Sequence, residues 1–323
     1  VSTRHLEEPV SHHLVVGAGP IGTATAARLA AAGESVTLVS RSGRGAAPGI
    51  TAVGADASST ARMSELAAGA VAIYNCANPA YHRWPTDWPP ISNALLSAAQ
   101  TSGSVLATVS NLYGYGPVSG AMREDLPLAA RGPKGRVRAQ MFHDARAAHE
   151  AGRLRMTEVR GSDYVGPGAQ SHLGDRVVPA LLAGKRVSVI GSPDQPHTWT
   201  YTDDVARMLV TAAADERAWG RAWHVPSNPP RTQREAIADL ADVAGVPMVK
   251  VGTVPRLALR ALGLVNPMMR ELGETYYQFS EPFVMDSGDA ERTFGITATP
   301  WPDVLEHTLR SYGWPESTST VSG

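Results

Sequence analysis

The chain has 323 residues, 43% hydrophobic and 18% charged, the composition of an ordinary globular protein able to bury a substantial core. Its formal charge of -1, from 29 basic and 30 acidic side chains interspersed along the chain, provides no overall attraction to nucleic acid or anionic lipid. The single cysteine, Cys76, excludes an intrachain disulfide framework, and the ten histidines are scattered without metal-ligand spacing. With no apolar segment before the first strand and no uninterrupted apolar run of about 20 residues, the expected location is cytoplasmic.

The first element in chain order is a short apolar strand, His13 to Val16, which runs into Gly17-Ala18-Gly19-Pro20-Ile21-Gly22 and then an alanine-rich helix, Thr23 to Ala32. Gly33 ends that helix, and Val36 to Val39 supplies a second strand. A GxGxxG turn alone is a weak signal, but here strand, turn, helix and strand follow in the order of a dinucleotide-binding βαβ unit. The first glycine permits the tight turn, the second lets a pyrophosphate touch the backbone, and the third lets the helix pack on the sheet. Free N–H groups of the helix's first turn then hold the phosphates, with Pro20 and Ile21 in that turn. The alternative is a glycine turn in some other α/β protein.

An NAD site usually places Asp or Glu about 20 residues beyond the glycines, on the adenosine ribose. Here the second strand ends in Ser40-Arg41-Ser42-Gly43-Arg44, with no carboxylate. Guanidinium groups at Arg41 and Arg44 suit a 2′-phosphate, which favours NADP over NAD, although the same arginines could simply solvate a loop.

Gly49 to Ala55 reads as a weak third strand leading to Asp56 and Ala57, where the carboxylate either accepts from the adenine amino group or opens the next turn. Ser59 or Thr60 caps a helix through Leu66, and the fourth strand, Ala70 to Tyr74, delivers Asn75-Cys76-Ala77-Asn78 to the carboxyl edge of the sheet. Pro79 to Pro90, with Tyr81, Trp84 and Trp88 among four prolines, reads as a helix-poor aromatic loop that either covers substrate or packs structurally. A helix over Ile91 to Thr101, a fifth strand over Ser104 to Val109, a long Gly- and Pro-rich loop from Gly114 to Pro133, a helix over Arg136 to Gly152 and a sixth strand over Arg155 to Val159 follow.

Beyond Arg160 the alternation loosens. Expected elements are a helix over Leu173 to Ala183, strands over Val187 to Ile190 and Arg221 to Val225, and a helix over Val205 to Ala214 capped by Thr202 or Asp203. Helices over Arg234 to Ala244, Pro255 to Leu262 and Pro267 to Glu274 lack a βαβ rhythm. The predicted fold is a Rossmann-type, doubly wound parallel α/β sheet with a smaller, mainly helical C-terminal substrate domain. Residues 10–165 plus about 200–227 form the nucleotide-binding body, about 166–199 plus 228–315 the substrate cap, and 316–323 a polar tail.

These pieces in this order resemble the short-chain dehydrogenase/reductase superfamily, and within it the extended branch of NAD-dependent epimerases and dehydratases. The similarity is carried by the glycine turn, by Leu112-Tyr113-Gly114, by Tyr164-Val165-Gly166-Pro167-Gly168 and by Asp203-Asp204-Val205-Ala206, and covers nearly the whole chain. The glycine spacing is the ordinary dinucleotide one, whereas the extended branch usually spaces its glycines three apart. The resemblance implies cofactor contacts at Asp56, at Asn75 to Ala77 and in the Tyr164 to Pro167 loop.

The resemblance also implies a tyrosine, with a lysine four residues later, at the start of the helix after the fifth strand, assisted by a serine or threonine. Lys134 takes the tyrosine position, Arg138 the lysine position, and Val109 or Ser110 the hydroxyl position. The only lysines are Lys134, Lys185 and Lys250, so no tyrosine is followed by lysine at that spacing, as in the atypical members of the superfamily.

Arg138 either binds the cofactor ribose or phosphate or lies on the helix surface; Lys134 either acts as acid or alkoxide stabiliser or is a solvated loop residue. Tyr113, Tyr115 and Tyr164 are candidates to replace the phenol, with Ser110 and Asn111 orienting a carbonyl oxygen. His197 either contacts substrate as its acid or braces sheet and cap. The expected function is an NADP-dependent oxidoreductase or epimerase-like enzyme for a small hydroxyl or carbonyl substrate. The alternative is a catalytically weak NAD(P)-binding sensor or interaction protein. The Arg136 to Gly152 helix, by the resemblance, is one often used for homodimer packing.

Overall fold

A computed structural model describes residues 10–254 and 273–315. The expected Pro255 to Leu262 helix, nearly all of the Pro267 to Glu274 helix and the 316–323 tail lie outside the described residues. Seven parallel strands build the central sheet: β1 (His12–Val16), β2 (Ser35–Ser40), β3 (Ile50–Gly54), β4 (Ala70–Asn75), β5 (Val105–Asn111), β6 (Arg155–Gly161) and β10 (Ala222–His224). Their spatial order is β10-β6-β5-β4-β1-β2-β3, so the chain winds outward in both directions from β1 and reverses between β1 and β4. Ligands of open parallel sheets bind at the carboxyl edge of such a reversal.

Helices cover both faces because parallel strands need crossover connections and bury both sides of the sheet. On one face α1 (Pro20–Ala31) and α6 (Thr202–Ala214) pack Ala26, Leu29, Val205, Met208 and Leu209 against Val15, Leu38 and Tyr74. The opposite face carries α2 (Thr60–Leu66), α3 (Trp84–Ser102) and α4 (Pro133–Glu150), whose Met63, Leu95, Ala98 and Phe142 meet Leu14, Ile73 and Leu106. A separate apolar cluster joins α5 (Val178–Leu182), α7 (Gln233–Ala244) and the helix Trp301–Ser311 around Leu181, Ile237, Leu240 and Leu305. Thr232 starts α7 with a complete capping box, its hydroxyl on the Glu235 N–H and the Glu235 carboxylate on its own.

Three expectations are corrected. The Pro79 to Pro90 stretch is not helix-poor: α3 begins at Trp84 and carries Pro89 and Pro90 inside it. Each of those prolines removes one backbone donor, and burial of the Trp84 and Trp88 rings offsets the loss. Only Val178–Leu182 of the Leu173 to Ala183 helix forms, because Ser171 and Gly174 close separate turns ahead of it. The sixth strand continues to Gly161, where it pairs with Asn111. Two small parallel pairs arise only in three dimensions, β7 (Asp163–Val165) with β9 (Trp199–Tyr201) and β8 (Val187–Ile190) with β11 (Val251–Val254). No helix among the described residues is long and apolar enough to cross a membrane.

Candidate active site

The glycine turn lies where the carboxyl ends of β1 and β4 meet. Gly17 has φ 110°, and a Cβ there would stand 2.4 Å from the Cys76 carbonyl oxygen, so only glycine lets the two strands close together. Gly22 is equally constrained, since its Cβ would lie 1.8 Å from the Gly17 carbonyl oxygen. Gly19 differs, for no described atom stands within 4 Å of its Cβ position. It faces open space at the N-terminus of α1, which has Pro20 in its first turn, no side-chain cap and no acidic residue. Backbone N–H groups with the positive end of the helix dipole and no internal partner suit an anion.

Around this turn, Ile21 is half-buried and Pro20 is overhung by the 166–168 segment, where a Cβ on Gly168 would come within 3.3 Å of the Pro20 ring. Asn75 is buried and accepts from the Ala77 N–H. Burial pushes the Cys76 thiol up to about 12, so it packs rather than reacts. Ala77 is half-buried and Asn78 exposed. At the end of β2 the Ser40 Oγ is buried without a hydrogen-bond partner among the described residues, while Arg41 and Arg44 are exposed. Asp56 accepts from the N–H and hydroxyl of Ser58 at 2.9 and 2.8 Å, forming an Asx-type turn beside Ala57. The Ser58 bonds, with Arg41 adding its charge, hold the Asp56 carboxyl below its ordinary range.

Beyond β5 the candidate catalytic side chains fall into three groups. Lys134, at the start of α4, is 1% exposed. Its Nζ meets Glu274 Oε2 at 3.0 Å, and its backbone N–H meets Glu274 Oε1 at 2.9 Å. One carboxylate therefore caps the helix and pairs with the ammonium, in place of the side chain that Gly132 lacks at the N-cap. Arg138, one turn on, is clamped between the Trp84 and Trp88 rings at 4.5 and 4.3 Å and donates to the Val109 carbonyl. Its guanidinium thus fastens α3 to α4 and β5.

The second group is interior. Tyr115 donates to His224 Nε2 at 2.8 Å and accepts from Arg160 at 2.6 Å. His224 Nδ1 stands 2.8 Å from the Asp286 carbonyl and so carries the ring proton, which leaves Nε2 as the acceptor. Arg160 also binds Glu158 at 2.7 Å. Burial pushes the Tyr115 phenol up to about 12. The Tyr164 hydroxyl donates to the Ser110 carbonyl, burial pushes that phenol up, and Ser110 itself is 2% exposed.

The third group is His197, whose Nε2 meets Asp163 Oδ2 at 2.6 Å and whose Nδ1 meets the Gln278 carbonyl at 3.1 Å. Its ring stacks on Phe279 and Phe283. Burial opposes ionisation of Asp163, but the His197 hydrogen bond and charge prevail and hold its carboxyl below the ordinary value.

Burial of His224 has a measurable consequence, because it depresses the imidazole from an ordinary 6.5 to about 3. Between those values the ring is neutral in the fold and charged in the unfolded chain, so stability falls as pH drops through that window, by about 1.4 kcal/mol per unit. Urea titrations at about pH 7 and about pH 5 are expected to show a pH-dependent loss roughly 2 kcal/mol larger for the native chain than for His224→Gln. Equal losses in the two chains would reject this origin.

A cleft of about 540 Å³ opens beside the Lys134 group, lined by Tyr113, Tyr115, Ala130, Glu274, Thr275 and Tyr277 among others, so the Tyr115 ring borders the cleft while its hydroxyl is bonded inward. The sequence marks the Glu274 to Phe279 cluster as candidate pocket lining, and Glu274, Thr275 and Tyr277 do line this cleft; Asp163 and His224 have no role legible in the sequence, since their partners are 34 and 109 positions away.

An open sheet reversing at β1/β4, with a glycine turn under a bare helix N-terminus, defines a dinucleotide-binding α/β protein. The chain matches the profile of the NAD dependent epimerase/dehydratase family over residues 13–225 and belongs to that family. No curated protein matches it. Among solved structures it is similar to DesIV, a dTDP-glucose 4,6-dehydratase from Streptomyces venezuelae with NAD and TYD bound (23% identity, TM-score 0.75, 94% of this chain and 99% of that chain). It is also similar to UDP-glucuronic acid 4-epimerase from Bacillus cereus in complex with NAD (18%, 0.74, 94% and 98%) and to WbmH from Bordetella bronchiseptica in complex with NAD+ (17%, 0.73, 94% and 99%). At these identities the shared property is the fold.

Proposed function

We propose that the chain is an NADP-dependent oxidoreductase or epimerase-like enzyme acting on a small hydroxyl or carbonyl substrate, without the Tyr/Lys pair on α4. The observation that carries this reading is the open face of Gly19 under the uncapped N-terminus of α1. The buried Ser40 Oγ, without a hydrogen-bond partner among the described residues, suits a ribose hydroxyl, and exposed Arg41 and Arg44 suit a 2′-phosphate. When bound, the nicotinamide supplies hydride transfer. The chain's own part is to hold the pyrophosphate on α1 amides, to orient substrate in the cleft beside Tyr113 and Tyr277, and to manage the proton there.

A second reading, a catalytically weak NAD(P)-binding sensor, is favoured by one observation. The Lys134 ammonium is paired with Glu274, and the Tyr115 and Tyr164 hydroxyls are bonded into the interior. Turnover on a carbonyl and alcohol panel separates the two, since the sensor predicts binding without turnover.

The cofactor preference is tested by calorimetry with NADP(H) and NAD(H). Arg41→Ala is expected to weaken NADP by about tenfold or more, the worth of one charge-assisted hydrogen bond, and to leave NAD nearly unchanged. Equal weakening of both would place Arg41 away from the 2′-phosphate.

A further inference from the structure

We propose that Tyr81, paired across two elements with Lys134, supplies and takes back the proton of the cleft through the Thr275 hydroxyl. The inference rests on the oxidoreductase reading above. Tyr81 lies just after β4, ahead of α3, and is half-buried. The Lys134 Nζ stands 4.6 Å from the centre of its ring, and its hydroxyl meets Thr275 Oγ1 at 3.3 Å. Thr275 and the neighbouring Tyr113 both line the cleft. A phenol with an ammonium beside it, reaching a hydroxyl on the wall of a cleft, is a general acid–base unit.

The other phenols near this edge are differently placed: Tyr277, on the cleft wall, packs edge to face on Phe283, and burial pushes its phenol up to about 12. Tyr115 is bonded to His224 and Arg160, and Tyr164 to the Ser110 carbonyl. Tyr113 packs edge to face on Tyr81 and tilts against Trp84, and burial pushes its phenol well up. The charged groups acting on Tyr81 come from separate elements: Lys134 of α4 favours its phenolate, and Asp163 of β7 opposes it. Glu274 holds the Lys134 ammonium in place. Burial raises the Tyr81 phenol, and the Thr275 bond and Lys134 offset part of that rise.

In the reducing direction the carbonyl carbon accepts a hydride, a reduced nicotinamide being the reductant, and its π pair moves to oxygen. That oxygen takes the proton of the Thr275 hydroxyl, which takes the Tyr81 proton in turn, giving alcohol and phenolate. The phenolate lies against the Lys134 ammonium and regains its proton from water through the Thr275 hydroxyl. Oxidation runs the same steps backwards.

The test uses the full chain carrying ¹³Cζ-tyrosine. The resonance lost in Tyr81→Phe is expected to titrate at a pH about one unit higher in Lys134→Met. If the lone Glu274 carboxylate unfolds that variant, Lys134→Met/Glu274→Gln serves instead. Tyr81→Phe is also expected to lower kcat by about 100-fold, with cofactor affinity by calorimetry unchanged. An unmoved Tyr81 titration, or native kcat in Tyr81→Phe, overturns the pairing. A native chain that takes up neither NADP(H) nor NAD(H) overturns the oxidoreductase reading instead, and the titration then decides alone whether Tyr81 and Lys134 are coupled.

Discussion

Gly19→Ala is expected to leave the fold within about 1 kcal/mol of the native chain while weakening cofactor binding by about tenfold or more, and Gly22→Ala to damage both. The two positions sit three residues apart in one turn, yet their surroundings are opposite. An added methyl at Gly19 meets no described atom within 4 Å, and its backbone, at φ -80° and ψ -178°, is open to any residue. The methyl would occupy only the space through which a pyrophosphate must approach the α1 amides. At Gly22 the methyl would fall 1.8 Å from the Gly17 carbonyl oxygen and 3.1 Å from Cys76 Cβ. Backbone on backbone cannot yield there, so α1 must move off the sheet, at a cost of about 3 kcal/mol. Thermal unfolding and calorimetry on the two variants give the answer, and native-like affinity in Gly19→Ala would show that the phosphates take another path.

The second large effect belongs to the ion pair beneath the site. Glu158 and Arg160 project from β6 with side chains 4% and 3% exposed, joined at 2.7 Å. Glu158→Ala leaves the Arg160 guanidinium buried with the Tyr115 oxygen and the faces of the Tyr115 and Phe142 rings as its other partners. Such an uncompensated charge typically costs about 3 to 5 kcal/mol. Replacing both partners, as Glu158→Leu/Arg160→Met, is expected to cost far less, because the desolvation of two charges disappears together with their attraction. Urea unfolding of the three chains compares them directly. A double variant as unstable as Glu158→Ala would mean that shape around a small internal cavity, lined by Asn75, Thr108, Met141 and Glu158, governs this region rather than charge.

The sequence was most informative where contacts are local. The strand, glycine turn and helix at the amino terminus differ from expectation only at their ends: β1 gains His12, and α1 starts at Pro20 because proline's fixed φ and missing N–H fit a first helical turn. The α3 helix departs from the sequence expectation for the converse reason. Counting prolines weighs only the lost local hydrogen bonds, and what holds the helix there is the packing of Trp84 and Trp88 around Arg138 of a different helix. The β7, β9 and β11 strands are three or four residues long, too short for periodicity to register, and each exists through a partner far along the chain.

For the candidate site the division is sharper. Composition and spacing alone determined that the chain carries a βαβ dinucleotide turn, no carboxylate after β2, and no tyrosine four residues before a lysine. Each of these is a statement about neighbours in the chain, where covalent geometry fixes what can meet. Which phenol meets which ammonium was decided only by the tertiary structure. Lys134 reaches Tyr81 and Glu274 because α4, the loop after β4 and the 274–280 segment converge at one edge of the sheet, and that convergence is set by packing between elements up to 140 residues apart.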